Sequence, residues 1–119
     1  MDRLKAPLYV NAIYFLILGA SALSASVVLT LFDYEVKDSG ILLVTAGAFL
    51  GFGAVLLGIA KDSAKHESLV GPIMTALMIF VVFLLWGWSR QMFTARNVVA
   101  PIAIDLALVV WMWSSWKHR

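Results

Sequence analysis

The sequence contains no cysteine, which excludes disulfides, thiolate metal sites, Cys-ligated iron–sulfur clusters and thiol catalysis. Charge is nearly as scarce. Lys and Arg number 9 and Asp and Glu 7, so charged residues make up 13% of the chain. A soluble domain carries about 25% charged and about 45–50% apolar residues. Here 62% of the 119 residues are hydrophobic, and the mean hydropathy is +0.92. So few charges cannot cover a water-facing surface, which argues against soluble globular, disordered and nucleic-acid-binding classes. The composition is that of an integral membrane protein, with the lipid bilayer as partner and no nucleic acid. A net charge of +2 and a pI near 9.2 then reflect orientation signals rather than a basic binding face.

Four apolar stretches separate the short charged clusters, at about residues 7–31, 40–60, 69–88 and 98–116. A membrane-crossing helix needs about 20 mainly apolar residues, and each stretch is long enough. Lipid cannot hydrogen-bond open backbone groups, so each stretch is expected to be a helix. The predicted fold is all-α, a single domain over residues 1–119 made of four transmembrane helices. Arg3, Lys5 and Ala20-Ser21-Ala22 imitate a signal peptide, but the apolar stretch runs on to Leu31 and is read as a retained first span.

Basic residues predict the orientation. Arg3, Lys5, Lys61, Lys65, Lys117 and Arg119 fall on one side, against Lys37, Arg90 and Arg96 on the other. Positive-inside then predicts a multi-pass protein of the cell membrane with both termini cytoplasmic. Asp33, Glu35 and Asp38 join Lys37 in the outer loop, where a solvated loop is preferred to a cation site. Trp86 and Trp88 end the third stretch, and Trp111, Trp113 and Trp116 end the fourth, as an interfacial belt would. The other reading of such Trp-rich ends is a quinone or partner-protein site.

Gly47-Ala48-Phe49-Leu50-Gly51 is a GxxxG motif, extended by Ala54 and Gly58 into one small-residue stripe. Small residues let helix backbones approach closely where lipid removes the hydrophobic drive. The first span offers a matching cluster, Gly19-Ala20-Ser21-Ala22 and Ser24-Ala25-Ser26. The expected pairing is the first helix against the second as a hairpin, with self-association through the stripe as the alternative. The third span is bulky over Ile79, Phe80, Val81, Val82, Phe83, Leu84 and Leu85, which suits lipid or a groove in a larger neighbour. Short connections predict that successive helices are antiparallel neighbours.

Asp105 is the one formal charge inside a span. It lies about 14 Å along the helix from Arg96 and about 18 Å from Lys117, near mid-membrane. An intramembrane carboxylate is a functional candidate by default, as proton relay, cation site or assembly contact. The structural alternative is a neutral carboxyl hydrogen-bonded to a hydroxyl. Depth counted along the helices favours Ser21 and Thr45 as partners over Asn11 and Thr75, which should lie nearer the inner face. Pro101, one turn before Asp105, cannot donate to the Asn97 carbonyl, so a kink or a water path is expected there.

The remaining polar residues carry less. Asp62, His66 and His118 could hold zinc or copper, but juxtamembrane residues facing headgroups and solvent are the preferred reading. No metal and no cofactor are assigned. The serines at 21, 24 and 26 have no histidine at their depth to act as a base, so no catalytic residue is assigned. Gly51-Phe52-Gly53 lies within an apolar helix and reads as packing, not as a phosphate loop.

Asn11-Ala12-Ile13-Tyr14-Phe15-Leu16-Ile17-Leu18-Gly19 and Gly47-Ala48-Phe49-Leu50-Gly51-Phe52-Gly53, with the length and four spans, resemble the small DoxX-like four-helix membrane proteins. That resemblance implies a small membrane protein of the kind associated with oxidoreductases. Size, Trp-rich helix ends and the lack of a ligand set are also similar to the accessory membrane subunit of archaeal ammonia monooxygenase. Neither resemblance carries over a catalytic residue. Small multidrug exporters share the length and span count but require a carboxylate in the first span, where this chain has none. The expected function is therefore a non-catalytic accessory or scaffolding subunit bound to larger integral membrane subunits of an oxidoreductase such as a monooxygenase. The alternative is a small proton- or cation-coupled transporter using Asp105.

Overall fold

The computed structural model describes residues 4–117, which form five α-helices and no strand. They are α1 (Lys5–Ser21), α2 (Ala25–Phe32), α3 (Ser39–Lys61), α4 (Val70–Ser89) and α5 (Ala95–Lys117), with a 3-10 turn at Glu67–Leu69 before α4. Three helical segments are long and apolar enough to cross a membrane: Ser39–Lys61, Glu67–Ser89 and Ala95–Trp116. The all-α class expected from composition is observed, with three of the four expected spans long and apolar enough to cross a membrane.

The first apolar stretch differs from expectation. It was expected as one helix over 7–31, and it is instead broken between Ser21 and Ala25. Serine is the cause. The Ser21 hydroxyl donates back to the Ile17 and Leu18 carbonyls, each at 2.9 Å, while Ser24 turns to an extended backbone (φ −125°, ψ 119°). The Ser24 hydroxyl then accepts from the Val27 N–H at 3.4 Å and caps α2. Short hydroxyl side chains compete with the helix ladder for backbone partners, so they favour caps over helix interiors. At 17 residues, α1 is about 26 Å long.

The other boundaries follow from their caps. The Asp38 carboxylate accepts from the Gly40 and Ile41 N–H groups at 3.0 and 3.1 Å, which opens α3. Gln91 takes a left-handed backbone (φ 61°), and Met92 N–H donates to the Gly87 carbonyl at 2.8 Å, which closes α4. Asn97 ties two helix ends together. Its Oδ1 accepts from the Thr94 N–H at 2.8 Å, and its Nδ2 donates to the Phe32 and Asp33 carbonyls at 2.7 and 3.1 Å. Carbonyls left over at the end of α2 thus find donors at the start of α5. Arg96 pairs with Asp33 at 3.4 Å across the same contact, but both are too exposed for the pair to matter much.

Buried residues recur at alternating four- and three-residue spacing. In α1 the seam is Leu4, Leu8, Asn11, Phe15, Leu18 and Ala22; in α5 it is Val98, Pro101, Asp105, Leu108, Met112 and Ser115. This is the spacing of left-handed, knobs-into-holes helix packing. The main pairings are α1 with α3 and α4 with α5, joined by α1–α5 and α2–α5 contacts. An aromatic cluster also links them: Phe15 meets Phe52 edge-on at 4.9 Å, and Phe49 meets Phe80 of α4 at 5.7 Å.

The first and second long apolar segments do pair, but not through the expected stripe. A Cβ on Gly19 would sit 2.9 Å from the Leu50 nitrogen and 3.0 Å from the Ala46 carbonyl oxygen. On Gly53 it would sit 3.1 Å from the Leu16 nitrogen. Each helix therefore offers one glycine to the other's backbone. Gly47, Gly51 and Gly58 have nothing within 4 Å of a Cβ, and these three and Ala54 are exposed. The stripe runs one residue out of phase with the buried α3 positions Ala46, Gly53, Leu56 and Ala60, about 100° round the helix. Gly19→Ala should cost about 1–3 kcal/mol, because the methyl meets backbone that cannot rotate away. Gly51→Ala should leave the thermal midpoint in detergent unchanged; equal losses for both would refute this assignment of the contact.

Candidate functional site

Asp105 lies in the middle of the α5 seam with 0% exposure, opposite α1. Its placement follows from spacing: it falls between Pro101 and Leu108 in the buried row, so the helix face that packs must carry it inward. Neither carboxyl oxygen has a hydrogen-bond partner, and the residue pairs with no cation among the described residues.

Two α1 side chains with buried polar atoms belong to the same seam. Asn11 is also 0% exposed; its Nδ2 donates to the Met112 sulfur at 3.7 Å, while its Oδ1 is unpartnered. Tyr14 turns its ring against Phe15 at 5.1 Å, and its buried hydroxyl has no partner and lies near Asp105. The structure thus brings Tyr14 near Asp105, while Asn11 meets Met112, two turns further along α5. Buried polar groups are nearly always paired, so the unpaired Asp105 carboxyl and Tyr14 hydroxyl mark the polar site of the seam.

The partners expected for Asp105 are elsewhere. Ser21 is engaged by its own helix, and the Thr45 hydroxyl donates to the Ile41 carbonyl at 2.9 Å. Counting depth along each helix ignored rotation about its axis, and rotation decides which residues face each other. Asn11 completes the buried row 4, 8, 11, 15, 18 of α1, and its contact to Met112, two turns from Asp105, agrees with the expectation that it lies at another depth. Tyr14 stands beside that row, and only its length carries its hydroxyl into the seam.

Pro101 is buried in the same row and α5 continues through it. It lines a cavity of about 420 Å³ at the α2–α3 end of the bundle, and that cavity stops before Asp105. A second cavity of about 560 Å³, beside Phe83, Trp86 and Phe93, also excludes Asp105. Trp86 and Trp88 at the end of α4 and Trp111 and Trp113 towards the end of α5 are exposed, at opposite ends of that helix pair, as an interfacial belt requires.

Among the described residues no group of three His, Asp or Glu side chains is placed to hold a metal. Asp62 and His66 lie on one backbone turn, His66 N–H donating to the Asp62 carbonyl at 3.2 Å, and His118 lies outside the described residues. No family model, curated protein or solved structure matches the chain.

Asn11 offers a direct check on the unpaired polar groups of the seam. Asn11→Leu keeps the volume, removes an unpartnered carbonyl oxygen and loses only a weak contact to sulfur. It should raise stability by about 1 kcal/mol. A thermal-unfolding series in one detergent measures this, and a lower midpoint would mean that Asn11 holds a partner.

Proposed function

We propose that the chain is a small non-catalytic subunit that braces the helices of a larger membrane complex, and that α1 crosses the bilayer as a fourth span. The observation that carries this reading is the sealing of Asp105. A proton relay or cation pathway needs its carboxylate connected to water, whereas Asp105 is closed in a helix seam, lines neither cavity and has the Tyr14 phenol near it. Polar side chains in such a seam act on assembly, by penalising any register that strands them against lipid.

The outer surface supports the same reading. Large apolar side chains such as Ile79, Val82, Phe83 and Trp86 stand exposed along α4, so the chain has broad faces for lipid and for larger subunits. Connections of a few residues leave no room for an extramembrane domain. An oxidoreductase is the proposed host, on the resemblance to DoxX-like proteins and to the ammonia monooxygenase accessory subunit. The basic residues place both termini in the cytoplasm of a cell-membrane protein, and a reporter fused after Arg119 should report that side.

Asp105 separates this reading from transport. As an assembly contact, Asp105→Asn keeps size and polarity and should leave complex recovery and activity intact. Asp105→Leu should weaken assembly by about 0.6–2 kcal/mol. The measurement is recovery of the native complex in mild detergent, together with its activity. Normal recovery with lost activity in the Asn variant would overturn the subunit reading and support transport, because Asn cannot ionise.

A further inference from the structure

We propose that the cavity between α2, α3, α4 and α5 holds one acyl chain of a membrane phospholipid, whose anionic headgroup lies beside Lys37. The inference needs only that the protein resides in a membrane, and it is independent of the subunit reading.

The cavity exists because α1 ends early. The serine-directed break at Ala22–Ser24 turns α2 onto the start of α5, where Asn97 holds its last carbonyls, and a gap opens above Phe49 and Phe80. Its volume of about 420 Å³ falls within the range of small-molecule sites, which run to about 300–1,000 Å³. Phe32, Phe49, Phe80 and Phe93 make much of the wall, and the one hydroxyl at depth, on Thr45, is taken by the Ile41 carbonyl. Left empty, such walls forfeit dispersion contacts, and in a membrane lipid chains are the apolar molecules at hand to restore them.

Polarity is confined to one end, and this selects a chain with a head. Lys37 and Asp38 are the only charged residues in the lining. The Asp38 carboxylate is occupied in capping α3, whereas Lys37 has no ion-pair partner among the described residues. The Asp38 charge is set against the positive end of α3, so the group at the rim left to pair with a phosphate is the Lys37 ammonium. Phe49 follows Asp38 by eleven residues, about 16 Å along the helix. One leaflet of a bilayer's hydrocarbon core is about 15 Å thick. A phospholipid with its head at Lys37 would reach Phe49 with one chain.

The experiment uses the full chain in bilayers of equal phosphatidylcholine and phosphatidylglycerol, extracted in mild detergent, with bound lipid counted by native mass spectrometry. One phospholipid per chain is expected, with about fivefold preference for phosphatidylglycerol from a single lysine at the headgroups. Thr45→Trp fills the cavity and should abolish retention. Leu43→Trp, on the exposed face of the same helix, should not. Lys37→Gln should keep the lipid and lose the preference. Equal retention by wild type and Thr45→Trp overturns the proposal, as does an unchanged preference in Lys37→Gln. Bound free fatty acid in place of phospholipid also overturns it. Lys37 lies in a connection outside the packed helices, so its variant decides the question even should Thr45→Trp not fold.

Discussion

The reciprocal approach of Gly19 and Gly53 is the constraint on which the rest of the bundle depends. Each glycine leaves room for the partner helix's backbone, at Leu50 in one direction and Leu16 in the other. Two such contacts, one near each side of the crossing, fix both the separation and the rotation of α1 and α3. With that rotation set, Phe15 reaches Phe49 and Phe52, and Phe49 is delivered to Phe80 of α4. The glycine stripe at 47, 51 and 58 is turned outward by the same rotation, since a helix cannot bury two faces about 100° apart against one neighbour.

Against that apolar frame, Asn11 and Asp105 occupy the same rows as leucine and phenylalanine. In lipid the hydrophobic effect does not choose between helix registers, so packing shape and polar placement must. Turning either helix about its axis would move its polar side chain out of the seam and onto the lipid-facing surface, so the amide and the carboxyl disfavour other rotations. The unpaired Tyr14 hydroxyl lies near Asp105, while Asn11 meets Met112 two turns further along α5. A packing role for these residues and a binding role draw on the same fact, the scarcity of polar partners in the seam.

At the α2–α3 end the structure is organised by helix termini rather than by packing. Serine hydroxyls stop α1, Asp38 starts α3, and Asn97 serves both its own helix and the end of α2. The apolar space with a polar rim lies at this end and not in the α1–α3 seam, where backbones approach closely.

Composition alone determined the class of this protein and the places of its long helices. A sequence with 13% charged residues has one compatible solvent, and lipid forces the backbone of each apolar stretch into helix wherever the neighbours stand. Helix rotation was legible only in part. The row 4, 8, 11, 15, 18 in α1 and the row 98, 101, 105, 108, 112 in α5 are written in the spacing, yet in an apolar helix every face looks equally able to be buried. Glycine spacing pointed to one stripe of α3 and close approach used another, because the fit of two backbones depends on both helices at once. The approach of Tyr14 to Asp105 was likewise decided by tertiary structure, because a side chain beside the buried row reaches it only once the rotation of both helices is set. The serines at 21 and 24 could be read as caps, but a hydroxyl can also be carried within a helix, bonded to a carbonyl one turn back, so their presence did not by itself mark the break.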